Sequence, residues 1–300
     1  MIEIKNLTKT FGKVTALNKL NLTVGDGSVF GLVGSNGAGK STLLRVLAGI
    51  YRPDSGDAFI DGQIPFENMN VKGKLMYVAD YPYFSSTATV NKLADVYRNI
   101  YPNWSDTQFV KLQSMFPINF DDKISRMSKG MQRQAAIILG LSTMPKCILF
   151  DEIFDGLDPV IRELVKKLLV EFVADNGATV IIASHNLREL EDVCDHVGLL
   201  HKGGTLLEDD IDNLKLGITR IQFAVQNPED FAKIKDQLNI IKMNVQGRLF
   251  MLTLRQSEES ALEVISKLNP MFYEVLGLTL EELFISEMEA AGYDINNLIK

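Results

Sequence analysis

The fold is decided by residues 28–41, which read Ser28-Val29-Phe30-Gly31-Leu32-Val33-Gly34-Ser35-Asn36-Gly37-Ala38-Gly39-Lys40-Ser41. The first six residues form an apolar run typical of a buried strand, and the run ends at a glycine-rich loop. After this loop, apolar residues recur at helical spacing at Leu43, Leu44, Val46, Leu47 and Ile50. Strand, loop and helix therefore follow in order, and the loop fits G-x-x-x-x-G-K-[ST], the pattern of a phosphate-binding loop.

The chemistry of such a loop comes from its backbone. Closely spaced N–H groups cradle phosphates, and the N-terminus of the next helix carries about half a positive charge. Lys40 would contact the β- and γ-phosphates, and the Ser41 hydroxyl would ligate Mg²⁺. The alternative is a glycine-rich turn without a ligand. The candidate nucleotide-binding residues of this segment are Ser35, Asn36, Gly37, Ala38, Gly39, Lys40, Ser41 and Thr42.

A second apolar run, residues 147–150, ends in two acids, Asp151 and Glu152. Asp151 would hold Mg²⁺ through a water molecule. Glu152 could orient or deprotonate the attacking water. Adjacent acids also often begin solvated turns, and it is the phosphate-binding loop that favours the catalytic interpretation.

Composition limits the class of protein. The chain has 300 residues, of which 46% are hydrophobic and 23% charged, so we expect a globular protein with one large and one smaller domain. A net charge of −7 without a basic block argues against a nucleic-acid partner. No signal peptide pattern and no apolar run of about 18 residues is visible. Two cysteines and three histidines favour neither disulfides nor a Cys/His metal site, which suits a reducing cytosol.

The order of elements predicts two domains. Strands alternate with helices in residues 1–215, which favours an α/β fold with a mainly parallel, mixed sheet, and residues 86–145 are expected to form a helical insertion. From residue 216 to residue 300 the pattern changes to strand, helix, strand, strand, helix, strand. That is the order of the α+β ferredoxin-like unit, and an acidic amphipathic helix is predicted after it, from Leu280 to Ala290.

Four further segments resemble motifs of a known family. Ser128-Lys129-Gly130-Met131-Gln132 resembles the ABC signature, and Gly156-Leu157-Asp158 resembles the D-loop. Ser184-His185 is similar to the switch histidine, and Phe11 matches the aromatic A-loop position. With the phosphate-binding loop and the two acids in this order, residues 1 to about 215 resemble the ATP-binding subunit of an ABC (ATP-binding cassette) transporter, a P-loop NTPase.

The resemblance implies ATP and Mg²⁺ as ligands and a head-to-tail dimer. Phe11 would stack on adenine, and Ser128 and Gly130 of one copy would face the γ-phosphate bound by the other. His185 would bond the γ-phosphate, so that Glu152, His185 and Lys40 are the catalytic candidates. The alternatives are a core phenylalanine, a plain serine N-cap and a structural histidine.

The sequence also departs from the family pattern. Asp80 stands where the family has the Q-loop glutamine, which keeps an oxygen near Mg²⁺ but adds a charge. Three further departures are Lys129 for glycine, Met131 for glutamine and Ile153 for proline. Lys129 could face the partner's phosphates or reach into solvent, and the departures leave the rate of hydrolysis open. The metal-ligand candidates are Ser41, Asp80 and Asp151.

Finer resemblance points to a branch of the family. Tyr101-Pro102-Asn103-Trp104, the signature segment and the C-terminal extension are similar to bacterial exporter ATPases of the Ytr and bacitracin-resistance type. This implies a homodimer or a heterodimer with a related ATPase, attached to the inner face of the cell membrane through a separate transmembrane permease. The aromatic residues Tyr81, Tyr83 and Phe84 would receive a coupling helix of that permease, or would instead pack the helical insertion.

Two other functions stay open at this point. A soluble ABC protein acting on ribosomes or DNA would usually have a second cassette or a long coiled coil, and this sequence has neither. A regulatory pseudo-ATPase would bind ATP and barely hydrolyse it. Asp80 and Ile153 favour that second alternative, whereas Lys40, Glu152 and His185 oppose it. The transported substrate is not encoded in these motifs.

Overall fold

The computed structural model describes residues 1–211 and 217–284. The chain folds into two compact units, Met1–Glu208 and one that begins at Asp209. Within the described ranges, no helix has the length and apolar character needed to span a bilayer. The predicted helix from Leu280 to Ala290 is helical at 280–284, and its remainder lies outside the described residues.

The first unit contains two sheets. Its strands are β1 (Ile2–Phe11), β2 (Val14–Val24), β3 (Val29–Val33), β4 (Ser55–Ile60), β5 (Leu75–Val78), β6 (Cys147–Asp151), β7 (Thr179–Ser184), β8 (His196–His201) and β9 (Gly204–Asp210). An antiparallel sheet has the order β2-β1-β4, with Ile2 opposite both Val24 and Ile60. The larger sheet has the order β5-β6-β7-β3-β8-β9.

The larger sheet brings the predicted motifs to one edge. Strands β3, β5, β6, β7 and β8 pair in parallel, and every residue of β3, β6 and β7 is buried. Continuous apolar strands are expected where a parallel sheet is covered on both faces. Because parallel strands end on the same side, the loops after β3, β5, β6 and β7 meet at one edge. The α/β prediction with a mixed sheet is confirmed.

The helices of this unit are α1 (Lys40–Leu47), α2 (Met69–Lys72), α3 (Val90–Ile100), α4 (Asp106–Met115), α5 (Lys129–Ser142), α6 (Pro159–Asn176) and α7 (Leu187–Glu191). The region predicted as a helical insertion contains α3, α4 and α5. Helix α5 begins at an N-cap, because the Ser128 hydroxyl accepts a hydrogen bond from the Met131 N–H.

The second unit contains a four-stranded antiparallel sheet. Its elements are β10 (Thr219–Ala224), β11 (Ile240–Gln246), β12 (Leu249–Leu254), α8 (Glu258–Ser266) and β13 (Phe272–Leu276), and the sheet order is β11-β12-β10-β13. Two 3₁₀ segments, Pro228–Lys233 and Lys235–Gln237, occupy the place of the first expected helix. Phe231 and Ile234 are buried three residues apart, a spacing that suits three residues per turn. The ferredoxin-like assignment stays a prediction.

Candidate functional site

The phosphate-binding loop lies between β3 and α1, and its glycines are required by close backbone contacts. A Cβ on Gly34 would lie 2.6 Å from the Leu200 carbonyl oxygen. Gly39 has a φ of +109°, and a Cβ there would lie 2.5 Å from the carbonyl oxygen of Ala16. Only glycine fits either position, because the obstacles are backbone atoms. The loop therefore forms a cradle of backbone atoms, as a bound phosphate group requires.

Lys40 is 5% exposed and crosses this loop. Its Nζ donates a hydrogen bond to the Gly34 carbonyl oxygen at 2.6 Å and lies 3.5 Å from Glu152 Oε1. The structure thus brings the predicted phosphate-binding lysine and the predicted catalytic acid together, although they lie 112 residues apart in the sequence. A cation at this place would attract the γ-phosphate to the side of the loop that faces Glu152.

Asp151 ends β6 and is 1% exposed. The Ser41 hydroxyl donates to Asp151 Oδ1 at 2.9 Å, and the Tyr77 hydroxyl donates to Asp151 Oδ2 at 3.3 Å. Burial raises the pKa of Asp151, and burial together with the charge of Asp151 raises the pKa of Tyr77 to about 12. A buried carboxylate with an adjacent hydroxyl is a pair of hard oxygen donors, so these residues fit Mg²⁺.

Glu152 has a φ of +51°, a left-handed conformation that is uncommon outside glycine. Its N–H donates to the Ala183 carbonyl oxygen at 2.9 Å, and its Oε2 accepts from His185 Nδ1, also at 2.9 Å. Glu152, Asp155 and His185 offer ligand atoms within 4.8 Å of one another. Backbone conformations of this kind are common at functional sites, and the carboxylate of Glu152 lies between Lys40 and His185.

Phe11 ends β1 and is 44% exposed. Its ring meets Tyr51 edge-to-face, with the centroids 5.3 Å apart and an interplanar angle of 67°. The Lys9 ammonium lies 5.5 Å from the centroid of the Phe11 ring. Phe11 is therefore not a core residue, and much of its ring is accessible to a ligand.

The signature residues lie apart from the phosphate-binding loop. Ser128 caps α5, and a Cβ on Gly130 would lie 2.4 Å from the Gly156 carbonyl oxygen. Among the described residues, neither Ser128 nor Gly130 forms a hydrogen bond with the loop around Lys40. Within one chain Gly130 contacts the D-loop segment instead.

Asp80, a predicted metal ligand, is paired with a cation. Arg133 Nη2 donates to Asp80 Oδ1 at 2.7 Å and to the Asp80 carbonyl oxygen at 2.7 Å. The metal-binding role of Asp80 stays a prediction. Sequence reasoning missed Arg133 and also Tyr77, the hydroxyl partner of Asp151. One signal was present, because a charged residue two positions before the apolar run 135–141 requires a partner if the helix is buried.

The fold and the site together define a P-loop nucleoside triphosphatase. The sequence model of the family described as "ABC transporter" matches residues 17–155. The chain is 32% identical over 287 residues to the ABC transporter ATP-binding protein YtrB of Bacillus subtilis (strain 168), covering 96% of this chain and 98% of that protein. It is 30% identical over 215 residues to the lantibiotic transport ATP-binding protein SrtF of Streptococcus pyogenes, covering 71% of this chain and 92% of that one.

A solved structure described as a dimeric bacterial ABC transporter cassette, MJ0796, superposes with a TM-score of 0.64 at 23% identity. The superposition covers 70% of this chain and 99% of the cassette, and it shows the shared fold. The chain belongs to the ABC transporter family, as an ATP-binding subunit and an ATPase. The predicted family and the predicted enzyme class are confirmed.

Proposed function

We propose that this subunit hydrolyses Mg²⁺-bound ATP within a dimer and thereby drives a separate permease, in the direction of export. One observation carries the proposal: Glu152 contacts both Lys40 and His185, and the neighbouring buried residue Asp151 is paired with Ser41. The residues proposed as general base, phosphate-binding cation and metal-binding pair thus lie at one sheet edge. These are the parts that phosphoryl transfer to water needs, since its catalysis depends on positioning and electrostatics.

Each residue has a role in this proposal. The loop backbone from Ser35 to Thr42 holds the phosphates, and Phe11 offers its exposed ring to adenine. Lys40 contacts the β- and γ-phosphates. Glu152 orients the attacking water and accepts its proton at a carboxylate oxygen, while the imidazole of His185 holds that carboxylate and contacts the γ-phosphate.

Ser41 and Asp151 would hold Mg²⁺, whereas the carboxylate of Asp80, the third metal ligand predicted from the sequence, pairs with Arg133. When bound, Mg²⁺ neutralises charge that develops on the phosphate oxygens. Asp151 gains from such a cation, because burial makes its negative charge costly when no cation is near. Tyr77 holds the second carboxylate oxygen of Asp151, which fixes the direction of the first.

The dimer would complete the site. Ser128 and Gly130 open α5, and its N-terminus is where backbone N–H groups attract an anion. Among the described residues neither hydrogen-bonds the chain's own phosphate-binding loop, which is compatible with a role towards the nucleotide of a second copy. The MJ0796 cassette, which shares the fold, is described as dimeric. The partner in this proposal is a second copy or a related ATPase.

The permease would dock on the segment after β5. Tyr81 is 74% exposed and Tyr83 is 92% exposed, so neither side chain is buried against the helical insertion, although the Lys129 ammonium of α5 lies 5.5 Å from the centroid of the Tyr81 ring. Exposed aromatic residues are typical anchors of protein interfaces. Through this contact the subunit would be held at the cytoplasmic face of the membrane. Export, rather than import, rests on the likeness to YtrB and SrtF-type transport ATPases.

The predicted ferredoxin-like domain of residues 216–300 falls within the second unit, which begins at Asp209. We propose that this domain serves dimer contact or regulation of the ATPase domain predicted over residues 1–215. Strand β13 is an edge of its sheet, and Phe272 and Tyr273 on it are 44% and 55% exposed. Exposed apolar edge strands favour pairing with another chain. A chain that ends at Asp210 is expected to lose dimer stability or the regulation of its ATPase. Unchanged dimerisation, transport and ATPase regulation would contradict this role.

The central test is ATP hydrolysis by the isolated chain with Mg²⁺, over a series of protein concentrations and beside Glu152→Gln. We expect turnover per chain to rise with concentration, because two chains form each site. In Glu152→Gln, turnover is expected to fall by roughly 10² to 10⁴ while ATP binding persists, since the amide cannot accept the proton. Wild-type turnover no higher than that of the variant would instead identify a regulatory pseudo-ATPase.

A further inference from the structure

The first turns of α5 contact two loops at once through Arg133. The side chain of Arg133 is 7% exposed. Its Nη2 donates to the carboxylate and to the carbonyl oxygen of Asp80, in the loop after β5. Its Nη1 donates to the carbonyl oxygen of Asp155, in the loop after β6. One planar guanidinium group thus bridges the two loops, as its fork of donors allows.

A cavity lies beside the segments that Arg133 joins. This cavity has a volume of about 320 Å³ and is lined by residues of both loops and of α5, among them Tyr81, Lys129 and Gly156. The guanidinium group connects the two loops at this cavity, and the Gly130 to Gly156 contact supplies a second connection from the same helix turn.

The arrangement is poorly suited to a purely stabilising role. Arg133 Nε is buried and has no hydrogen-bond partner in the part of the chain that the structure describes. A buried ion pair with an unsatisfied donor contributes little or nothing to stability compared with apolar packing. What the pair does provide is geometry, because it fixes the position of both loops relative to α5.

The loops that Arg133 fixes carry the reacting groups. The carboxylate of Asp155 lies with that of Glu152 and the imidazole of His185. Asp80 follows β5, which pairs in parallel with β6, and β6 ends at Asp151. A shift of either loop would therefore move charge relative to the metal-binding pair and to the general base.

We propose that Arg133 is a positioning residue for ATP hydrolysis, and that Asp80 serves as its charge partner and not as a metal ligand. The guanidinium group neutralises the carboxylate that stands at the Q-loop position and holds the Q-loop and the D-loop on the signature helix. Movement of α5 on dimer closure would then be transmitted to both loops together. This inference deepens the proposed function, and its kinetic arm rests on ATP hydrolysis.

The first arm of the test is amide hydrogen exchange in the full-length chain without nucleotide, which does not depend on hydrolysis. In Arg133→Gln we expect faster exchange in peptides covering residues 78–84 and 153–158, because both lose their common anchor. The matched control is Lys166→Gln. Lys166 is a similarly buried cation, 8% exposed, that pairs with Asp192 at the end of α7. Unchanged exchange in either loop of Arg133→Gln, or equal changes in the control, would overturn the inference.

The second arm is a double-mutant cycle measured as kcat, KM for ATP and half-saturating Mg²⁺. Arg133→Gln is expected to lower kcat by about 10- to 100-fold, as a misplacement of about 1 Å can. Adding Asp80→Asn to it should restore kcat by roughly fivefold or more, because the unpaired charge is removed. Half-saturating Mg²⁺ should stay within about twofold in the double variant.

The alternative, in which Asp80 ligates Mg²⁺, gives different results. Asp80→Asn would then raise the half-saturating Mg²⁺ concentration whether arginine or glutamine stands at position 133. In the double variant, kcat would not be restored. Those results refute the charge-partner role. If wild-type protein shows no turnover but the exchange arm gives the expected pattern, the loop anchoring stands and the proposed hydrolysis falls.

Discussion

Substitution of Gly130 by alanine tests how closely the signature helix must approach the D-loop. The added Cβ would lie 2.4 Å from the Gly156 carbonyl oxygen, whereas ordinary contacts begin at 3.4 Å. The difference is 1.0 Å, and the obstacle is a backbone atom, so the start of α5 must move by about 1 Å from the D-loop. A displacement of that size in a catalytic constellation can cost about 10² in rate.

The effect on stability should be small by comparison. Overpacking costs about 1 to 3 kcal/mol, and the gain in helix propensity from glycine to alanine offsets about 1 kcal/mol. The net cost of about 0 to 2 kcal/mol would lower Tm by at most about 8 °C in a chain of this size. Steady-state turnover should therefore fall far more than Tm, and binding of a fluorescent ATP analogue to the phosphate-binding loop should persist.

Gly140→Ala in the same helix is the matched control. A Cβ there would lie 3.2 Å from Met76 Cγ, and the flexible methionine side chain can move by the few tenths of an ångström needed. We expect wild-type turnover within about twofold and an equal or higher Tm, because alanine favours the helix. Gly130→Ala with wild-type turnover would refute the reasoning, and so would equal losses in both variants.

Three further predictions concern single residues of the site. Phe11→Ala should weaken ATP binding by about 5- to 150-fold in a titration, since base stacking is worth about 1 to 3 kcal/mol. The control Phe11→Tyr should bind ATP as the wild type does. Equal ATP affinities of the wild type and both variants would refute stacking. Asp151→Asn should abolish Mg²⁺-dependent turnover yet raise the Tm of the nucleotide-free chain, because burial disfavours the charge of Asp151. The gain in Tm should shrink as the pH falls, because the wild-type carboxyl is then protonated. A lower Tm of the variant would contradict this prediction. Hydrogen bonds from Thr10 and Lys9 lower the pKa of Asp54 to about 2. The stability that Asp54 provides should therefore be complete above its unfolded-state pKa of 3.8 and lost as the pH falls towards 2. The free energies of unfolding in urea of the wild type and Asp54→Asn should converge over that range, and a constant difference between them would exclude this role.

Much of the fold could be predicted from local patterns. Residues 28–33 and 147–150 are apolar runs that end at glycine or acid, and such runs predict buried parallel strands with functional loops at their ends. The first helix predicted in residues 216–300 was wrong in type, because two 3₁₀ segments lie in its place. Apolar spacing of three to four residues suits either helix, and packing against the sheet decided between them.

The sequence by itself determined the phosphate-binding loop, the two acids and the order of the motifs, because each depends on residues that are neighbours in the chain. Only the tertiary structure decided what those groups contact. Ser41 meets Asp151 across 110 positions, and Arg133 meets Asp80 across 53 positions. Contacts of this kind depend on which strands are adjacent and on how a helix packs over their ends. No local pattern records that arrangement, since it follows from the packing of the whole sheet with its helices.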